Sequence, residues 1–397
     1  MAHWQDFYTE SGLPPVINAS GTMTGLGASI ARPEVAEAMA SILPRFVNMH
    51  ALQAKASEAI TRLTGGEAGF VTCSASAGVT QMVAATMTGC EPSLVERLPS
   101  SEGMANEVVM QLGHMCHYGA PVEQAVRLAG ARVVPVGTST LAQEYSLAGS
   151  ITEKTAAALY VVSHHVVEYG QIPLDRFVAI CHARNVPVIV DAASEYDLGG
   201  FLETGADIVV YSAHKFLSGP TAGIVAGRKD LVRAGYMQNM GIARGMKVGK
   251  ESIYGTIAAL EAWERRDHAA VRAREQAALE QWKEAASGLA GVLAEIVPDP
   301  TNNPLDRLRI HMNPREAGAS VKALAHAMAA GDPPVIVRAH ESELGWIQLD
   351  PCNLIDGQAE IVAQRLRETL ERAARSGLEE PKYDGDAGVR AYMNWPD

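Results

Sequence analysis

Short apolar runs recur along the first two-thirds of the chain, several of them followed by a stretch of helical periodicity. The runs fall at 69–73, 108–110, 132–136, 159–162, 186–190, 208–211 and 223–226, with helical stretches at 78–87, 121–128 and 174–184. Runs that are apolar throughout, rather than alternating, fit strands covered on both faces. Strand and helix alternating at this spacing predict βαβ units and an α/β fold with a mostly parallel seven-stranded sheet.

The flanks read differently. Residues 1–30 are rich in Gly, Ser and Thr, as in Ile17-Asn18-Ala19-Ser20-Gly21-Thr22, and read as a loop segment. Pro33 opens a helix, and the helical stretch 51–63 stops at Gly65-Gly66. The large domain is therefore expected over 31–255. A long helical stretch over 256–290 follows as a connector. Shorter strands at 307–311, 335–338 and 345–349 and a helix over 358–375 predict a smaller α+β domain over 291–379, with a tail at 380–397.

Composition narrows the function classes. Hydrophobic residues are 47% and charged residues 20%, so the 397-residue chain has ordinary globular chemistry. With 33 basic and 45 acidic residues the net charge is −12, which speaks against a nucleic-acid partner. Five cysteines without a CxxC pair argue against a zinc knuckle or a disulfide framework, and point to a reducing, cytoplasmic setting. No metal site is expected. The N-terminus has no signal-peptide pattern, and no run reaches the ~18 apolar residues of a membrane span.

In open α/β sheets ligands sit at the carboxyl ends of strands, so the residues after each run are the candidates. Ser74-Ala75-Ser76-Ala77-Gly78 follows the first run and opens a helix, a place where free N–H groups bind phosphate. His114 follows the second run. Asp191 ends the fifth, where a carboxylate needs a cation or a capping role. Ser212-Ala213-His214-Lys215 follows the sixth, and a lysine there either reaches to solvent or bonds covalently to an aldehyde. Together, the phosphate turn, the aspartate and the lysine fit pyridoxal phosphate: the lysine for the Schiff base, the acid for the pyridine nitrogen.

Asp191-Ala192-Ala193-Ser194 and Ser212-Ala213-His214-Lys215 resemble the fold-type I pyridoxal-phosphate enzymes, the aspartate aminotransferase superfamily. The segments 17–21, 106–114, 160–165, 241–251, 332–338 and 349–351 resemble the D-glucosaminate-6-phosphate ammonia-lyase family, itself related to the selenocysteine synthases. His214 departs from that pattern and resembles the cysteine desulfurase branch. The resemblance implies a three-layer αβα large domain and a site that commonly lies at a dimer interface, hence a homodimer or higher homo-oligomer. It implies Lys215 as the Schiff-base lysine, Asp191 on the ring nitrogen and His114 stacked on the ring. Ser76, the backbone of Ala77 and Gly78, and Ser212 would hold the phosphate. Ser194 would reach the ring hydroxyl, and Thr256 a neighbour's phosphate.

Substrate contacts have several candidates. Arg244, Lys247 and Lys250 form a basic cluster at i, i+3, i+6, which would share one face of a helix and offer an anion site. Arg338 follows an apolar strand and suits a carboxylate clamp. His50 and His165 are further candidates, each also readable as structural. The activity implied is α,β-elimination of a hydroxylated amino acid or aminosugar acid to a 2-oxo acid and ammonia. The same cofactor also serves aldolase, racemase, aminotransferase and selenium or sulfur-transfer chemistry, and a non-catalytic cofactor-binding protein is the remaining alternative.

Overall fold

The computed structural model describes residues 4–382 and 384–395. In chain order its strands are β1 (Ile17–Ala19), β2 (Ala68–Thr72), β3 (Glu107–Gln111), β4 (Arg132–Val136), β5 (Thr155–Val161), β6 (Val188–Asp191), β7 (Ile208–Ser212), β8 (Gly223–Gly227), β9 (Val292–Pro298), β10 (Asp306–Met312), β11 (Val335–Val337) and β12 (Trp346–Leu349). The chain forms two compact units. The larger is Thr22–Asp267 with the short segment Pro300–Pro304. The smaller takes the residues before Thr22, His268–Asp299 and the residues from Leu305 on.

The large unit is built on a seven-stranded sheet in the order β2-β8-β7-β6-β5-β3-β4. β4, β3, β5, β6 and β7 run parallel to one another, and β8 is antiparallel to both β7 and β2. Every residue of β3, β7 and β8 is buried, which is why those segments lack alternation in the sequence. The helix Ala75–Thr88 packs into the sheet through Val79, Met82 and Val83, against Phe70, Met110, Val210 and Val225. Gly78 permits that approach, because a Cβ there would lie 2.9 Å from Val210 Cγ1.

In the smaller unit, β12-β10-β9 form an antiparallel sheet and β1 pairs in parallel with β11, Ile17 opposite Val335. Its core gathers Trp282, Leu308, Ile310, Leu324, Ile347 and Leu366. The residues before 31, read as a loop, contain a helix (Trp4–Ser11) and β1. β1 is only three residues long, too short for its buried Ile17 and Ala19 to register as a period. The stretch read as one connecting helix is two, Lys250–Glu264 and His268–Ala285, the first in the large unit and the second in the smaller. A helix over Ala387–Met393 lies within the segment read as a tail.

One buried charge cluster organises the smaller unit. Arg307 of β10 donates Nε–H to Asp350 Oδ2 at 2.8 Å and pairs with Asp299, all three nearly inaccessible to solvent. Asp350 lies against Gly21 (φ +89°), where a Cβ would come within 2.8 Å of Oδ2. Burial alone would raise the Asp350 pKa, but the Arg307 charge and the Cys352 N–H hold it below the ordinary carboxylate value. The contribution of Asp350 is therefore present above about pH 4 and is lost as acid protonates it. Arg307→Ala leaves two carboxylates buried without their cation and should lower stability by about 3–5 kcal/mol, read by urea unfolding at neutral pH. The deficit should shrink as the pH falls through the Asp350 value.

Candidate active site

Lys215 and Asp191 lie at the carboxyl edge of the parallel strands. Asp191 closes β6, and the chain then turns through Ala192, Ala193 and Ser194. Ser212 closes β7, and Lys215 follows three residues later. Lys215 Nζ donates to Ser194 Oγ at 2.5 Å. Burial pulls the Lys215 pKa below its ordinary value, with Asp191 and Glu195 opposing. Burial pushes Asp191 the other way, above the ordinary carboxylate value, against the Lys215 charge and the Ala193 N–H that Oδ1 accepts at 3.2 Å. Each group is thus held where its charged form is poorly solvated. Such a lysine yields a neutral amine readily, and such a carboxylate is stabilised by any further cation set against it.

The phosphate-binding expectation needs correction in its details. Ser74 caps the helix Ala75–Thr88: its Oγ accepts from Ala77 N–H at 3.1 Å, and its carbonyl accepts from Gly78 N–H at 3.0 Å. The Ala77 and Gly78 N–H groups are therefore already used, and Gly78 serves packing instead. Among the described residues the N–H groups of Ala75 and Ser76 are the ones left open in the first turn. Ser76 Oγ accepts from Tyr118 O–H at 3.0 Å. Ser212 is buried, its Oγ 3.3 Å from His214 Nδ1. Burial and the neighbouring Lys215 lower the His214 pKa.

Two residues that sequence reading passed over line this region. The Asp191 carboxylate acts on both Tyr118 and Cys116, and the Lys215 charge acts on Cys116 as well. Burial raises the Cys116 thiol to about 11, so it stays protonated at neutral pH. Burial likewise raises the Tyr118 phenol, with the Ser76 hydrogen bond opposing. Both sit in the irregular segment after β3, where no periodicity marks them.

His114 ends the short turn after β3 and is almost fully buried. Its Nδ1 accepts from Val161 N–H at 3.2 Å, and its ring meets Tyr160 edge-on at 4.5 Å. Gln111 lies 3.4 Å from Nε2 and is itself fixed by Ile172, whose N–H donates to Gln111 Oε1 at 2.6 Å. Burial lowers the His114 pKa to about 4, so at neutral pH it is an uncharged ring.

A half-buried carboxylate, a lysine with a depressed pKa and an open helix N-terminus together fit pyridoxal phosphate, with its ring nitrogen, aldehyde and phosphate. Comparison with known proteins agrees. Residues 16–297 match the model of the SelA family, "L-seryl-tRNA selenium transferase". A D-glucosaminate-6-phosphate ammonia lyase of Salmonella typhimurium (strain 14028s / SGSC 2262) is 41% identical over 93% of this chain and 99% of its own. A solved structure of D-glucosaminate-6-phosphate ammonia-lyase superposes with a TM-score of 0.84, at 41% identity, covering 94% of this chain and 100% of that one. The chain belongs to this ammonia-lyase family. A 5'-C-glycyluridine monooxygenase-decarboxylase of Streptomyces sp is 36% identical over 94% of this chain and 95% of its own. Aspartate aminotransferase from Thermus thermophilus shares the fold alone, at 16% identity and a TM-score of 0.56, over 90% of this chain and 99% of that one.

In this member of the ammonia-lyase family the remaining candidates are scattered. Thr256 is fully buried and its hydroxyl donates to Ser252 O at 2.7 Å, so within the chain it is spent on its own helix and not presented to a neighbour. Arg244, Lys247 and Lys250 do not share a helical face. Arg244 lies in the 3-10 turn Ile242–Met246, Lys247 is extended, and Lys250 begins the next helix. Gly245 and Gly249 break the period between them. Lys250 donates to Arg45 O and lies 6.0 Å from the Phe46 ring centroid, while Arg244 and Lys247 are exposed. His50 is exposed, its Nδ1 3.0 Å from Tyr236 O–H. His165 is half-buried, its ring tilted by 48° against His164 with centroids 3.9 Å apart, and its N–H donates to Ser163 Oγ at 3.2 Å. Arg338, in the smaller unit, is almost fully buried. Its Nε has no hydrogen-bond partner among the described residues, and burial and Arg307 lower its pKa.

The His114 environment has a measurable consequence. Its folded pKa lies below the unfolded value of 6.5, so its neutral form stabilises the fold above that value, and the contribution is lost as pH falls from 6.5 towards about 4. In a histidine-selective NMR titration of the cofactor-free protein, one ring assigned by His114→Gln should remain neutral at pH 5.5. A ring with a midpoint near 6.5 would contradict the buried placement.

Proposed function

We propose that the protein is a pyridoxal-phosphate-dependent lyase that removes water and then ammonia from a hydroxylated amino acid or aminosugar acid of the D-glucosaminate-6-phosphate type, giving a 2-oxo acid. The observation that carries this is the pair Lys215 and Asp191, displaced in opposite directions by burial at the carboxyl edge of the sheet. When bound, pyridoxal phosphate supplies an electron sink for the pair of electrons left on the substrate α-carbon.

The residues of the chain divide the remaining work. Lys215 would hold the cofactor through its aldehyde, and its Nζ would be the base for the substrate α-proton. Burial lowers its pKa, which favours the neutral amine that a base needs. Ser194 Oγ holds Nζ in place. Asp191 would keep the ring nitrogen protonated, and the N–H groups of Ala75 and Ser76, with the Ser76 and Ser212 hydroxyls, would hold the phosphate. Tyr118, hydrogen-bonded to Ser76 and within the field of Asp191, walls the same space. His114 supplies an uncharged wall and no proton at neutral pH.

Arg338 is the carboxylate clamp in this reading. Among the described residues its guanidinium has no ion pair, which is unfavourable when buried, and a substrate carboxylate would offer it two hydrogen bonds. The exposed Arg244 and Lys247 serve a terminal phosphate, and His50 and His165 stay as outer contacts. The net charge of −12 favours a small-molecule substrate over a tRNA. A homodimer is part of the proposal, supported by the exposed apolar run Leu43, Phe46, Val47 and Met49, and sedimentation tests it. No helix among the described residues is long and apolar enough to cross a membrane, and the five free thiols support a reducing, cytoplasmic compartment.

The assay is release of ammonia and 2-oxo acid from a panel of hydroxy amino acids and phosphorylated aminosugar acids. Lys215→Ala should abolish the visible absorbance of bound cofactor and lower ammonia release by about 10⁴-fold, the scale of a lost acid–base group. Arg338→Lys, which keeps the charge but not the fork, should raise KM about tenfold or more with a smaller change in kcat. Carbon dioxide release in place of ammonia would refute the elimination.

A further inference from the structure

We propose that Asn303 is a positioning residue for Lys215, acting through the turn that carries Ser194. The inference rests on Lys215 being the cofactor-bearing lysine. Asn303 lies on the segment Pro300–Pro304, which joins β9 to β10 in sequence yet packs as part of the large unit. Both ends of its amide are used on the turn. Oδ1 accepts from Tyr196 N–H at 2.8 Å, and Nδ2 donates to the Ser194 carbonyl at 3.2 Å, across 109 positions of sequence. Those two groups flank Glu195, so one amide brackets the turn on both sides. Thr301 completes the clasp: its Oγ1 accepts from Asn303 Nδ2 at 3.0 Å and donates to Glu195 Oε1 at 3.2 Å.

The position of the clasp gives it its effect. Up to Ala193 the chain after β6 is tied to the sheet: Ala192 N–H donates to Val210 O at 2.9 Å, and the Ala193 carbonyl accepts from Ser212 N–H at 3.3 Å. Ser194 is the first residue beyond those ties. Among the described residues its hydrogen bonds run to Lys215 through the hydroxyl and to Asn303 through the carbonyl. Glu195, the next residue, is buried and its charge acts on Lys215. The clasp therefore sets both the hydroxyl and one of the carboxylates that stabilise the Lys215 ammonium. Loosening it lets both move away, and Lys215 then gives up its proton at a lower pH.

The test uses cofactor-free full-length protein. The rate of pyridoxal phosphate capture is followed by absorbance as a function of pH, beside a thermal unfolding curve. Asn303→Ala should move the midpoint of the capture profile to lower pH by about 0.5–1 unit, the scale of one hydrogen bond to a charged group. Thr301→Val, which keeps both bonds of Asn303 to the backbone, should give a smaller shift in the same direction, and it carries the test if Asn303→Ala does not fold. A melting temperature that falls while the midpoint stays in place would reduce the clasp to a structural tie and overturn the proposal. Lys215→Ala is run alongside. If that variant captures the cofactor with the unaltered profile, it is the assignment of Lys215 that fails and not the clasp.

Discussion

The site depends on keeping Lys215 and Asp191 enclosed by protein. In water their charges would cost little. At the carboxyl edge of a doubly covered sheet both charged forms are under-solvated, and each leans on the other. The sheet supplies this enclosure. β6 and β7 are neighbours in register, Asp191 opposite Val210, so the two residues leave adjacent strands at the same end. The fully buried β7 fixes where Ser212, and with it Lys215, emerges. A one-residue slip of register would turn these side chains to the opposite face.

The smaller unit handles buried charge in two contrasting ways. Arg307 is saturated by Asp299 and Asp350, so its charge is structural, and Asp350 in turn touches Gly21 and holds the Cys352 N–H. Arg338 lies in the field of that arginine and of Glu341, and among the described residues it forms no ion pair and its Nε has no hydrogen-bond partner. The fold thus neutralises one buried guanidinium twice over and leaves the other, among the described residues, without an ion pair. A guanidinium held in that way is the kind of group that an anion from outside would complete.

Sequence reading succeeds here where burial is two-sided. The seven strands of the large sheet are visible as apolar runs, and Asp191 and Lys215 stand out because charged residues directly after such runs need a reason. It fails where local chemistry competes. Ser74 takes the N–H groups of Ala77 and Gly78, and a serine one residue before a helix was the sign that it would. Gly245 and Gly249 were the sign that Arg244, Lys247 and Lys250 would not share a helix. β1 is too short to carry a period. Cys116, Tyr118 and Asn303 have no sequence signal, since their roles come from tertiary contacts with strands and turns far along the chain.

The same enclosure makes the cofactor-free protein store an unfavourable term. Asp191 has a folded pKa above its unfolded value, so burying it opposes folding increasingly as the pH rises past the carboxylate range. Lys215, with a folded value below its unfolded one, opposes folding at neutral pH by the same logic. A cofactor held by Asp191 through a cationic ring nitrogen and by Lys215 through an aldehyde would relieve both. Binding and folding would then be coupled, since what stabilises the native state alone adds to its free energy of unfolding. A site built for stability would have replaced this pair with apolar residues of similar volume. Its retention at the carboxyl edge of a well-packed sheet is what a requirement for chemistry looks like in the energetics of the fold.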